Sequence, residues 1–309
     1  MQTAVRDRFL KHAPCRISAD VPLAPYTSFK IGGPAALFAE PSTLSELREL
    51  LNLIRNEAVD SFYLGHGSNI LISDEGFNGI VVRSCGELAA VKIHNNILES
   101  GPAAKLLKLT TFAAFHELSG LEPLSGIPGS VGGGLWMNAG AYGGEISNAL
   151  IDVDVITPND EMITLQAAEI GFGYRSAPLL QDKVILHSRF KLARGSKDSI
   201  YSEMRRVWRL RREKQPLEYP SAGSIFKRPA GDYAGRLIEA VNGKGVRIGG
   251  AMVPHKHAGI FINYDHATAE DVVQLIREIR QRVYDKFGIL LENEVKPVGF
   301  KNDPFEIKS

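Results

Sequence analysis

Three short stretches pair a polar or ionisable residue with small, rigid neighbours able to hold a reactive group still. GFGYRSAPL, Gly171 to Leu179, sets Arg175 among glycines, an aromatic and a proline. A guanidinium on such a loop can meet a carboxylate through a bidentate fork, although a surface arginine of purely structural use fits the same residues. YPSAGSIFKRP, Tyr219 to Pro229, surrounds Ser224 with small residues, after which Ile225 and Phe226 turn inward and Lys227 and Arg228 stay polar. No G-x-S-x-G elbow is present, which argues against a serine hydrolase. The hydroxyl suits a hydrogen-bond or proton donor, or only a turn. LLENEVKPVG, Leu290 to Gly299, places Glu292 and Glu294 two apart. On a strand they share one face, which is either solvent or a place where one acid enters a cleft. His255 and His257 flank Lys256 with no third ligand nearby, so no metal site is expected.

A fourth stretch binds rather than reacts. LSGIPGSVGGGLWMNAGAYGG, Leu124 to Gly144, has eight glycines in its last twenty residues, against 30 in the whole chain of 309. Such density serves positive φ or close approach of the backbone to a ligand. Consecutive exposed N–H groups form an anion-binding concavity, typically for phosphate; a tight turn beside a glycine-rich strand is the alternative. No Gly-Lys-Ser/Thr follows, and no G-x-G-x-x-G opens a helix, so neither a P-loop nor a Rossmann fingerprint is present. A weaker candidate, Gly65 to Asn69 (G-H-G-S-N), precedes it, and together the two can clamp a dinucleotide pyrophosphate.

The elements that must carry these residues are legible in part. Residues up to about Val21 show no clear period and are expected to pack loosely. Thr43 and Glu46 predict a capping box ahead of Leu44, Leu47, Leu51 and Ile54 on an amphipathic helix. Short apolar strands flank G-H-G-S-N, and Val91 to Glu99 alternates as a strand. Lys105 to Leu118 has helical spacing. IDVDVITPNDEMITLQ reads as two strands joined by a Pro158-Asn159-Asp160 turn, and Val184 to Gly195 as another strand. Six cations between Arg205 and Lys214 read as the solvated face of a helix held by Val207, Trp208 and Leu210 and ended by Pro216. Strands are expected at Ala258–Asn263 and Leu290–Val295. Between them, Thr268 and Asp271 cap a long helix that Gly288 closes.

Composition bounds the answer. The chain is 44% hydrophobic and 23% charged, ordinary for a globular enzyme, and its net charge of +1 argues against a main task of gripping nucleic acid. Cys15 and Cys85 have no metal spacing and are expected to be free thiols. With neither an apolar leader nor a membrane-length apolar run, the chain reads as cytoplasmic.

Taken in order, YTSFKIGG, GHGSNILISDEGFNG, SGIPGSVGGGLWMNAGAYGG, GFGYRSAP, SAGSIFKRP, HAGIFIN and ENEVKPVG give the chain a strong resemblance to the UDP-N-acetylenolpyruvoylglucosamine reductases, flavoenzymes of peptidoglycan precursor synthesis. It runs from about Tyr26 to Phe300. The compact span between GFGYRSAP and SAGSIFKRP resembles the shorter subtype, which lacks a tyrosine-bearing loop. The resemblance implies an α+β fold: a vanillyl-alcohol-oxidase-type (PCMH-type) FAD-binding region of two α/β subdomains, residues 1–80 and 81–200, and a C-terminal α/β substrate domain, residues 201–309. It implies FAD held by Gly65, His66, Gly67, Ser68 and Asn69 and by Gly129, Ser130, Gly132, Gly133, Asn138, Gly140 and Ala141.

NADPH is the implied hydride donor, and UDP-N-acetylglucosamine enolpyruvate the substrate that becomes UDP-N-acetylmuramate. Arg175, with Glu294 as its partner, would stabilise charge developing on the substrate carboxylate, and Ser224 would give a proton to C2. A carboxylic acid in that position needs a perturbed pKa. Lys214 matches a lysine that meets the substrate diphosphate, and Tyr174 and Arg228 complete the implied substrate contacts. Arg228 stands where the family often has asparagine, and His66 where glycine is common. A monomer without membrane or nucleic-acid partners is expected. Two other readings fit parts of the pattern: a flavin oxidase of the same superfamily acting on an alcohol or hydroxy acid, and a nucleotide-binding regulatory module.

Overall fold

The computed structural model describes residues 1–307. Its helices are α1 (Thr3–His12), α2 (Leu44–Asn56), α3 (Leu106–Phe115), α4 (Val131–Trp136), α5 (Lys197–Lys214), α6 (Ala234–Ala240) and α7 (Ala269–Phe287). Helices mix with largely antiparallel sheets, which makes the fold α+β. A four-stranded sheet runs in the order Arg16–Pro22, Pro34–Glu40, Phe77–Val82, Ser61–Tyr63. The chain divides into two compact units, each discontinuous in sequence.

The first unit comprises Met1–Ser18, Phe38–His66 and Val81–Arg211. Its main sheet orders Met162–Gln166, Leu150–Ile156, Val184–Lys191, Ile97–Ser100 and Val91–His94, all antiparallel. Along Leu150–Ile156, Val153 and Val155 enter a core with Leu98, Leu106, Leu109, Leu135 and Phe190. Asp152 and Asp154 alternate with those valines, as the two-residue period requires. Arg189 bonds to both carboxylates, at 2.5 Å to Asp152 and 2.8 Å to Asp154. The segment expected as one strand over Val91–Glu99 is a hairpin, because Asn95 takes a left-handed φ of 57° and turns the chain.

In α2 the Thr43 hydroxyl accepts the Glu46 N–H at 3.2 Å. The Glu46 carboxylate reaches back one residue further than a capping box requires, to the Ser42 N–H and hydroxyl at 2.6 and 2.8 Å. The first residues do not pack loosely: α1 buries Phe9 completely and Arg16–Pro22 is a sheet strand. Phe9 is the only buried residue of α1, so no apolar stripe announces the helix.

The second unit comprises Ala19–Leu37, Gly67–Ile80 and the chain from Arg212 onward. An antiparallel sheet orders Ser221–Ser224, Ile260–Asn263, Ala251–Met252 and Arg247–Ile248. The α7 face carrying Val272, Ile276, Ile279 and Val283 packs into a core with Phe226, Phe261 and Leu291. Thr268 and Asp271 form the expected reciprocal capping box, and Gly288 closes α7 at φ 65°. The expected strand over Leu290–Val295 is displaced: the regular strand is Lys296–Val298, paired in parallel with Ile70–Ile72. Upstream, an isolated bridge between Asn293 and Phe226 and a few backbone hydrogen bonds around it take the place of a regular strand.

Candidate active site

In the first unit the two glycine-rich turns meet. A Cβ built on Gly65 would lie 2.3 Å from the Ser130 Oγ and 4.0 Å from the Gly133 nitrogen. Ser130 is the N-cap of α4, its hydroxyl accepting the Gly133 N–H at 3.2 Å. The glycines after it serve packing more than anion binding. The N–H groups of Val131, Gly132 and Gly134 go to the carbonyls of Ala104, Pro102 and Ser130. A side chain at Gly132 would come within 2.9 Å of Pro102, and one at Gly134 within 3.3 Å of Ile146. The run of exposed donors expected here is therefore not formed; the glycines let α4 lie directly on neighbouring backbone.

The GFGYRSAP loop is stapled to the far end of the same stretch. Asn138, fully buried, donates through Nδ2 to the Gly173 carbonyl at 3.0 Å and to Glu145 at 2.8 Å. Arg175 donates through Nη2 to the Gly140 carbonyl at 2.9 Å, and its guanidinium lies 5.1 Å from the Tyr174 ring centroid. Asn138, Tyr142 and Arg175 all adopt left-handed φ, at 47°, 51° and 53°. Such conformations in non-glycine residues persist only where the surroundings enforce them, and they gather at functional loops. Gly140 and Ala141 pair with Glu145 and Gly144 in a small hairpin.

Ser125 was not legible as a site residue. It is 1% exposed, and its Oγ has no hydrogen-bond partner. A buried hydroxyl left unsatisfied is costly, and Ser125 belongs to the stretch where a ligand is expected. Only its burial marks it.

In the second unit Ser224 ends its strand on the exposed surface, opposite Ile260. The next carbonyl, of Ile225, accepts the Glu294 N–H at 2.7 Å. Ser224 and Glu294 are thus brought onto adjoining backbone although seventy residues apart. The two glutamates do not share a face: Glu294 is 7% exposed, whereas Glu292 is largely in solvent and ion-paired with Lys227. With no regular strand at these positions, the two-residue period does not apply. Asn69 donates to the Glu294 carbonyl at 3.0 Å, and the Lys296 N–H goes to the Asn69 carbonyl at 3.0 Å. Gly67 sits where a Cβ would be 2.3 Å from the Tyr26 carbonyl, and Ser68 beside it is half-buried. Lys214 is exposed at the end of α5, and Arg228 lies 4.5 Å from the exposed Tyr233 ring. In α5, Ile200, Met204 and Val207 are buried, whereas Trp208, expected as an anchor, is 41% exposed.

Comparison with known proteins places this arrangement among the FAD-binding oxidoreductases: the FAD binding domain family matches residues 35–166. That match spans both the Gly65 turn and the Ser130 loop, and the buried, unpartnered Ser125 hydroxyl within it fits such a cofactor. The UDP-N-acetylenolpyruvoylglucosamine reductase C-terminal domain family matches residues 215–298. The reductase of that name from Streptococcus uberis is 42% identical over 284 residues, 92% of this chain and 93% of its own. The one from Caldanaerobacter subterraneus is 43% identical over 282 residues, 91% of this chain and 93% of its own. The crystal structure of the Thermus caldophilus enzyme superposes with a TM-score of 0.79 at 35% identity, covering 92% of this chain and 98% of that one. This chain belongs to the UDP-N-acetylenolpyruvoylglucosamine reductase family.

Proposed function

We propose that this chain reduces the enolpyruvyl group of UDP-N-acetylglucosamine enolpyruvate to give UDP-N-acetylmuramate, with NADPH as reductant and FAD as bound carrier. The observation that carries the residue assignment is the Ser224–Ile225–Glu294 junction, a surface hydroxyl next to backbone bonded to a buried acid. Bound FAD would supply the hydride chemistry, linking NADPH to C3 of the enol ether.

Addition at C3 drives negative charge onto the adjacent carboxylate, and groups aimed there lower the barrier by stabilising it as it develops. Arg175 supplies a guanidinium already oriented by the Gly140 carbonyl. Ser224 holds at Oγ the proton that C2 receives. Glu294, buried, assists as a neutral acid or as a charge balanced by a cation; titrating it in the holoenzyme tests the expected pKa perturbation. Lys214, Tyr174 and Arg228 contact the substrate, and the residues of the Gly65–Asn69 and Gly129–Ala141 stretches hold FAD. Within this reading the protein acts as a cytoplasmic monomer of three domains, divided near residues 80 and 200. No helix among the described residues is long and apolar enough to cross a membrane.

The deciding experiment is anaerobic. Flavin reduced by NADPH should reoxidise promptly when the enolpyruvyl substrate is added, and flavin that stays reduced until air enters would favour an oxidase instead. Ser224→Ala should keep NADPH-driven flavin reduction while substrate-driven reoxidation falls by about 10²-fold or more. Wild-type rates in both halves would remove the serine from the chemistry.

A further inference from the structure

Ser28 joins two segments of the second unit that are far apart in sequence. Its N–H donates to the Gly67 carbonyl at 3.0 Å, and its carbonyl accepts the Ser221 N–H at 3.2 Å. Its half-buried hydroxyl donates to the Ser221 carbonyl at 2.6 Å, with the Gly67 carbonyl 3.4 Å away. Gly67 is buried within the G-H-G-S-N turn, and Ser221 opens the strand that ends at Ser224. The loop bearing Ser28 is itself fixed. The buried Thr27 hydroxyl accepts the Ile31 N–H at 3.3 Å, and Asn263 donates to the carbonyl of the buried Phe29 at 3.1 Å. Beyond Ser221 the strand is irregular. Ser221 pairs with Ile262 and Ser224 with Ile260, a step of three against a step of two, and Gly223 takes φ 72°. This is a β-bulge with glycine in the left-handed position, a device that bends a strand and re-aims a side chain. Nothing comes within 4 Å of a Cβ built on Gly223, so glycine serves its φ and not a close approach. After the bulge the Gly259 carbonyl holds the Ile225 N–H. Before it, the grip is that of Ser28.

We propose that Ser28 is a positioning residue for Ser224, keeping that hydroxyl in register with the Gly67–Asn69 turn. This rests on the reading in which the turn holds FAD and Ser224 gives a proton to C2. Asn69, in the same turn, does the matching work for the acid through its bond to the Glu294 carbonyl. The turn is thus the common reference for the proton donor and the acid. The Ser28 N–H and carbonyl bonds belong to the backbone, so only the hydroxyl bond depends on the side chain. With it, Ser28 holds Ser221 at both N–H and carbonyl. Without it, Ser28 holds the N–H alone and the strand can tilt away from the turn. A misplacement of about 1 Å can cost as much as about 10²-fold in rate even when the substitution is remote from the chemistry. The loss falls on proton delivery by Ser224 and spares flavin reduction, which does not use that hydroxyl.

The test compares wild type, Ser28→Ala and Ser28→Thr as holoenzymes. Ser28→Ala should bind FAD and accept electrons from NADPH as wild type does, because the bond to the Gly67 carbonyl comes from its backbone. Substrate-driven reoxidation should slow about tenfold, with KM for the UDP-sugar unchanged. Ser28→Thr keeps the hydroxyl and should recover most of that loss. Added to Ser224→Ala, Ser28→Ala should cost nothing further, since it acts only through Ser224. Amide hydrogen exchange with oxidised FAD bound gives a readout without turnover. Ser28→Ala should exchange faster across Ser221–Ile225 and at the wild-type rate across α7. Wild-type reoxidation in Ser28→Ala, equal slowing of both half-reactions or a defect confined to KM would each overturn the proposal. So would full additivity with Ser224→Ala, or faster exchange across α7 as well. Each of these outcomes leaves the proposed function standing. A wild-type flavin that the substrate fails to reoxidise would overturn that function, and this inference with it.

Discussion

Ser224 lies on backbone whose position is set by a chain of single hydrogen bonds. The Ile225 N–H goes to the Gly259 carbonyl at 3.0 Å, and the Gly259 N–H goes to His257 Nδ1 at 3.1 Å. His257 therefore supports the backbone that carries Ser224. Burial lowers its pKa below the ordinary 6.5, and the Lys244 ammonium adds to that, while its own backbone and Glu239 pull the other way. The sign follows from linkage. Below pH 6.5 the unfolded chain binds the proton more readily than the folded one, so the contribution is fully present above that pH. It is lost as pH falls through the depressed folded value. Denaturant midpoints should thus drop as pH falls below about 6.5, and His257→Gln should flatten that part of the profile. Identical slopes for the two proteins would show that His257 does not report on folding. The motif HAGIFIN revealed the family resemblance but not this role, because the partners of His257 are set by the turn and by the strand lying beside it.

At the scale of elements, the contact between the Gly65 turn and the N-terminus of α4 is the feature most open to a single substitution. Gly65→Ala would drive a methyl group into the Ser130 Oγ and push it from the Gly133 N–H. Loss of such a cap costs about 1 kcal/mol, and FAD affinity should fall roughly fivefold if the cap shapes the cofactor site. Fluorescence titration of apoprotein with FAD measures this directly; an affinity equal to wild type would mean that the contact is only structural. The elements themselves were unequally legible. The ends of α7 were plain, since Thr268, Asp271 and Gly288 act through neighbours within four residues. The Leu290–Val295 stretch was misplaced because its partners are remote. Phe226 meets Asn293, and Ile70–Ile72 meets Lys296–Val298. Periodicity carries no information about pairing over such separations, and that error is also what set Glu292 and Glu294 on one face.

For the whole molecule, ligand binding to the folded state should appear as stability. A protein holding FAD in a folded site gains about 2.7 kcal/mol at a cofactor concentration one hundred times the dissociation constant. Its melting temperature should rise with each increment of FAD in calorimetry and should not respond to riboflavin in the same way, if the pyrophosphate region contributes. A melting temperature indifferent to FAD would contradict the presence of a cofactor site in the folded chain. Amino-acid order alone determined the family, the FAD, the caps of α7 and the identity of Arg175, Ser224 and Glu294 as candidates, because motifs and caps are local chemistry written in consecutive residues. Tertiary structure decided which of the clustered glycines admit backbone contact and spend their N–H groups internally. It also decided which glutamate is buried, and that the Ser125 hydroxyl is buried without a hydrogen-bond partner among the described residues. Burial and desolvation depend on residues far apart in the chain, and no period or spacing within one segment carries them.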